Sequence, residues 1–132
     1  MRIIIEKDYA GVSRRAADFV EALLRRKPNA VLGLATGSTP LGLYRELSRR
    51  HKEAGLDFSG VTTFNLDEYY GLTPDHPQSY HHFMRANLFD HINVPRENIN
   101  IPSGTAKDIA KSCEDYERKI REFGGIDLQI LG

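Results

Sequence analysis

A chain of 132 residues that sets 18 Lys and Arg against 18 Asp and Glu carries no formal net charge at pH 7. That balance excludes a global field for collecting nucleic acid or an anionic membrane, and favours a small-molecule substrate over a polyanion. The single cysteine, Cys113, excludes an intrachain disulfide, and no apolar run approaches the roughly 18 residues of a membrane span, so a cytoplasmic setting is expected.

Residues 2–5, Arg-Ile-Ile-Ile, read as a short strand, after which Val12, Ala16, Phe19, Val20, Leu23 and Leu24 recur at helical spacing until Lys27-Pro28-Asn29. Residues 30–35 form a continuous apolar run of the kind buried on both faces of a parallel sheet, and Leu41, Tyr44 and Leu47 mark the next helix. Residues 61–65 are a third strand by their β-branched content. A long polar loop and a helix over residues 79–91 follow, with Phe83, Met84, Asn87 and Leu88 along one side. Residues 98–101 are a weaker strand. Ile109, Cys113, Tyr116 and Ile120 define a last helix, closed by Gly124-Gly125, in which Cys113 reads as a small core hydrophobe; residues 126–131 supply a fifth strand. Arg14-Arg15, Arg25-Arg26-Lys27 and Arg49-Arg50 fall on helices and read as solvated faces or partners of helix C-termini.

Alternating strands and helices imply an α/β chain: a three-layer α/β/α, Rossmann-like architecture with an open, mainly parallel sheet. No composition break or repeat divides residues 1–132, which read as a single domain. The sequence stops at Gly132, at the C-terminal end of a predicted strand, where such sheets place a ligand-facing loop, so the architecture reads as truncated.

The stretch Thr36-Gly37-Ser38-Thr39-Pro40 joins the second predicted strand to its helix. Thr39 suits an N-cap and Pro40 a first helical position; the helix amides, its positive dipole end and the hydroxyls of Thr36, Ser38 and Thr39 would satisfy a phosphate, and Gly37 would let the backbone come close. An empty, merely capped turn has the same residues. The pattern is neither a GxGxxG dinucleotide fingerprint nor a Walker loop. Asp67 and Glu68 follow the third strand, on the same edge of a parallel sheet as that turn. A carboxylate beside an anion cradle is the arrangement needed to take a proton from a carbon next to a carbonyl.

Four stretches in order, residues 32–44, 62–72, 76–84 and 98–104, resemble the N-terminal half of glucosamine-6-phosphate deaminases across essentially the whole chain. The resemblance implies conversion of glucosamine 6-phosphate and water to fructose 6-phosphate and ammonia by an aldose-ketose isomerisation, with no metal or organic cofactor. It implies Asp67 as the base moving a proton from C2 to C1, and Thr36, Gly37, Ser38 and Thr39 as the phosphate site. Glu68, Ser79 and Tyr80 are further candidates for the pocket wall, with His76 and His81 at its border. The related 6-phosphogluconolactonases usually carry Arg soon after the Asp-Glu pair, where this sequence has Tyr69-Tyr70-Gly71.

The family's Asn-Gly-His and Phe-Asn-Glu-Pro segments, which supply ring-opening residues, do not occur among these 132 residues. The resemblance therefore implies weak sugar-phosphate binding and little turnover for this chain alone. A non-catalytic sugar-phosphate module, a lactonase-like hydrolase and a structural half-domain remain the other readings, with a homo-oligomer or the C-terminal half as protein partner. The adjacent His81 and His82 point apart on a helix, so no metal site is expected; His51, His76 and His91 read as surface, capping or loop residues.

Overall fold

The computed structural model describes residues 1–132. Four parallel strands build the sheet, β1 (Val31–Leu34), β2 (Thr62–Asn65), β3 (Ile99–Asn100) and β4 (Leu128–Gln129), in the order β3-β2-β1-β4. Parallel neighbours require crossovers, and these are α2 (Leu41–Ala54), α3 (Tyr80–Asn87) and α4 (Ile109–Glu122), while α1 (Tyr9–Arg26) precedes β1. β1 and β2 are buried along their whole length, as the apolar or β-branched character of all their residues but Asn65 favours.

Leu32 and Leu34 point to one face, where Ala17, Val20 and Leu24 of α1, Leu43, Tyr44 and Leu47 of α2, and Met84 of α3 close a continuous core. Phe64 points to the other, into edge-on contacts with Tyr116 of α4 (centroids 5.6 Å apart) and Phe123 (5.8 Å). Three helices thus cover one face and α4 the other, giving the expected three layers.

Several expectations are corrected. Residues 2–5 form no strand: Ile3 is 73 % and Ile5 90 % exposed, because β-branched residues favour extended backbone but a strand exists only by pairing. On α1 the buried stripe is Ser13, Ala17, Val20 and Leu24 together with Leu23, while Val12 and Phe19 face out. Small residues face α2 because the helices approach closely; a Cβ on Gly42 would stand 2.1 Å from the Ser13 hydroxyl. The last predicted strand shrinks to the two residues of β4. Cys113 is exposed, and no residue of α4 is buried. Periodicity correctly groups Ile109, Cys113 and Tyr116 on one face, but that face borders a cavity rather than the core.

Of the basic pair on α2, Arg49 is half exposed as the solvated-face reading expects, whereas Arg50 departs from it. The Arg50 side chain is only 12 % exposed and bonds to Asp18 (2.8 Å) and Glu21 (2.7 Å) of α1 and to Glu46 (2.9 Å) of its own helix. It clamps α1 against α2 at the end remote from the glycine turn.

Candidate active site

Leu34 of β1 stands opposite Asn65 of β2. Two residues beyond each come Thr36 and Asp67, so the glycine turn and the acidic loop leave adjacent strands, roughly 4.8 Å apart, at the same sheet edge. Tyr80 starts α3, and its amide donates to Glu68 of the acidic loop (2.8 Å). Its phenol is held above its ordinary value, first by the neighbouring Tyr69 hydroxyl and then by burial and the charge of Asp67, while a bond with Thr36 opposes the rise. The Tyr69 and Tyr80 ring centroids are 4.6 Å apart.

The turn differs in detail from its sequence reading. Pro40, not Thr39, is the N-cap of α2, since the Tyr44 amide donates to the Pro40 carbonyl (2.9 Å) and no side chain caps the helix. The first helical amides are already engaged: Leu41 donates to the Ser38 carbonyl (3.3 Å) and Gly42 to the Tyr9 hydroxyl (2.8 Å). The amides of Thr36, Gly37, Ser38 and Thr39 donate to no protein acceptor. Donors for an anion thus come from the loop before the helix rather than from its first turn. Gly37, at φ +93°, holds a left-handed conformation with open space where a side chain would stand. The buried Tyr44 hydroxyl donates to the Ala35 carbonyl and accepts from its amide (3.2 Å), which fixes the exit of β1; burial raises this phenol.

Asp67 is exposed and lines a cavity of about 280 Å³, with Tyr70, Ser103, Cys113 and Tyr116 among its walls and none of residues 36–39. Glu68 does something else. Its side chain is 1 % exposed and accepts from the amides of Tyr69 (2.8 Å), Tyr80 (2.8 Å) and His81 (3.0 Å), with His81 Nδ1 at 2.7 Å. Burial would raise this carboxyl, but the Tyr80 amide, the His81 ring and the other amides outweigh it and hold the group below its ordinary value. Glu68 therefore ties the acidic loop to α3 and sets Tyr80 in place. Ser79, expected on the pocket wall, is fully buried as the N-cap of α3, accepting from the His82 amide (3.0 Å) and donating to the Pro74 carbonyl (2.9 Å). His76 accepts locally from the Gln78 amide (3.1 Å).

Two residues escaped the sequence reading. Asn65 is 2 % exposed, and neither end of its amide has a partner, nor does the buried Thr63 hydroxyl two residues earlier on the same strand face. An Asn inside a buried strand, where that residue is depleted, was the available signal. The other is Tyr9, whose contact with the turn spans about thirty positions of sequence. No group of three or more His, Cys, Asp or Glu is placed to hold a metal ion.

A parallel, doubly wound sheet with an amide-rich turn and an acidic loop at its C-terminal edge defines an α/β protein of the kind that binds small ligands there. The chain belongs to the family described as glucosamine-6-phosphate isomerases/6-phosphogluconolactonase, whose profile matches residues 7–132. The glucosamine-6-phosphate deaminase of Thermoanaerobacter sp. (strain X514) is 56 % identical over all 132 residues, which correspond to 52 % of that protein. A monomeric glucosamine-6-phosphate deaminase of solved structure superposes with a TM-score of 0.95 at 42 % identity, over 98 % of this chain and 54 % of that one. The 6-phosphogluconolactonase of Thermotoga maritima gives 0.79 at 30 % identity, over 98 % and 58 %. The chain spans about half the length of the curated relatives it matches.

Proposed function

We propose that these residues form the phosphate-holding and proton-transferring part of a glucosamine-6-phosphate deaminase. The observation that carries this reading is the equivalent placement of Thr36 and Asp67, two residues past paired positions on adjacent strands at one sheet edge. The unpaired amides of residues 36–39 suit a phosphate, helped by the Thr36, Ser38 and Thr39 hydroxyls. With the phosphate anchored there, Asp67 takes the proton from C2 of the open-chain amino sugar and returns it at C1. The resulting ketimine adds water and releases ammonia, leaving fructose 6-phosphate, so the net reaction is hydrolytic and needs no redox partner. Phosphorylated sugars of this kind place the reaction in the cytoplasm. A protein partner, a second copy or a C-terminal half like that of the relatives, is part of the same reading.

Fructose 6-phosphate tests the base directly, because its open-chain form presents the carbonyl without enzyme-assisted ring opening. In D2O the chain should bind the ketose by calorimetry and exchange a C1 hydrogen for deuterium; Asp67→Asn should retain binding and lose exchange by about 10²-fold or more. Exchange undiminished in Asp67→Asn dismisses the base. Binding without exchange in the unaltered chain supports a non-catalytic module instead. The likeness to the Thermotoga maritima enzyme supports a second reading, lactone hydrolysis, which opening of 6-phosphogluconolactone without ammonia release from glucosamine 6-phosphate would favour.

A further inference from the structure

We propose that Tyr9, at the start of α1, is a positioning residue for the phosphate turn; this rests on the assignment of residues 36–39 as the phosphate site. Its hydroxyl shares one proton between the carbonyls of Ser38 (3.0 Å) and Thr39 (2.9 Å) and accepts from the Gly42 amide (2.8 Å). The Ser38 contact sets the direction of one of the turn's donors. A planar trans peptide carries its N–H opposite its C=O, so holding the Ser38 carbonyl toward Tyr9 turns the Thr39 N–H to the other side, where an anion can meet it. Occupying the Gly42 amide removes a competing donor from the first turn of α2. No side chain of α2 itself caps that helix, so the cap comes from a different element.

The packing is specific to this role. The Tyr9 ring lies over Gly42, where a Cβ would come within 2.8 and 2.9 Å of ring carbons, and the Tyr9 carbonyl accepts from the Ser13 hydroxyl (2.8 Å), which locks the start of α1. Tyr44 grips Ala35 before the glycine and Tyr9 grips Ser38 and Thr39 after it. Gly37 at positive φ is the free joint between two fixed ends. A ring that is 48 % exposed contributes little to the core, so removing its hydroxyl should disturb the turn far more than the fold.

The test is Tyr9→Phe in the 132-residue chain, titrated with fructose 6-phosphate and with inorganic phosphate by calorimetry. Loss of these shared hydrogen bonds should weaken both ligands about tenfold. Nuclear magnetic resonance supplies a readout that a purely structural role leaves unmoved: in the unaltered chain phosphate should shift the Gly37 and Thr39 amide resonances, and in Tyr9→Phe those shifts should shrink while core resonances stay in place. Unchanged affinity in a folded Tyr9→Phe overturns the positioning role and leaves the phosphate site standing. Failure of the unaltered chain to bind either ligand overturns the site, and this proposal with it.

Discussion

At the scale of single residues, the adjacent carboxylates Asp67 and Glu68 have opposite fates because of where the backbone points them. Asp67 stays exposed at a cavity; Glu68 turns inward and is saturated by three amides and an imidazole. Glu68→Gln should cost on the order of 2 kcal/mol at neutral pH, because an amide offers these donors one oxygen and a competing N–H group. The pH dependence follows from the depressed carboxyl. A group that binds its proton more weakly when folded adds stability above its unfolded value of about 4.3, and that stability is lost as pH falls through the lower folded value. Thermal unfolding should therefore show the parent losing stability below that value faster than Glu68→Gln, the two curves converging in acid. Parallel curves would mean that the carboxylate charge contributes nothing. The sequence marked both acids as candidates and could not separate them, since all the donors that claim Glu68 except the Tyr69 amide lie a dozen positions away at the start of α3.

Among elements, the helices differ sharply in how they are held. α1 and α2 are joined by the Arg50 clamp at one end and by Tyr9 at the other, around shared core side chains. α4 buries no residue and hangs on Phe64, with the Tyr116 hydroxyl donating to the Asn65 (2.7 Å) and Asn100 (3.1 Å) carbonyls. Phe64→Ala should thus release α4 selectively, with a loss of about 3 kcal/mol or more and hydrogen exchange accelerating first in residues 109–122. Uniform acceleration across α1 and α2 would show instead that the two faces unfold together. This contrast marks the limit of sequence periodicity. The spacing of Ile109, Cys113, Tyr116 and Ile120 correctly defines a helix and its apolar side, yet α1 shows the same rule misplacing the buried stripe. Burial is decided by what lies opposite, and the close approach allowed by Ser13 and Gly42 brings small residues inward while Val12 and Phe19 are left in water.

For the whole molecule, strand alternation, parallel pairing and the location of the turn and acidic loop were legible because they depend on local period and on the right to expect crossovers. What was not legible is pairing, which needs a partner: residues 2–5 have the composition of a strand and are left unpaired. Glu6 packs at Gly11 and pairs with Arg15 (3.8 Å), which brings this isoleucine run beside the first turns of α1, where Val12 is also exposed. Unpaired backbone next to exposed apolar side chains favours edge association. Sedimentation velocity should accordingly show concentration-dependent self-association that Ile3→Lys combined with Ile5→Lys weakens. Because those side chains are already 73 % and 90 % exposed, the double change should alter unfolding stability by no more than about 0.5 kcal/mol. A large loss of stability would mean that the run is docked against the fold in solution. Unaltered association would move the contact to another surface, with the outer edges of β3 and β4 next in line, since each ends the sheet with one side of its backbone unpaired.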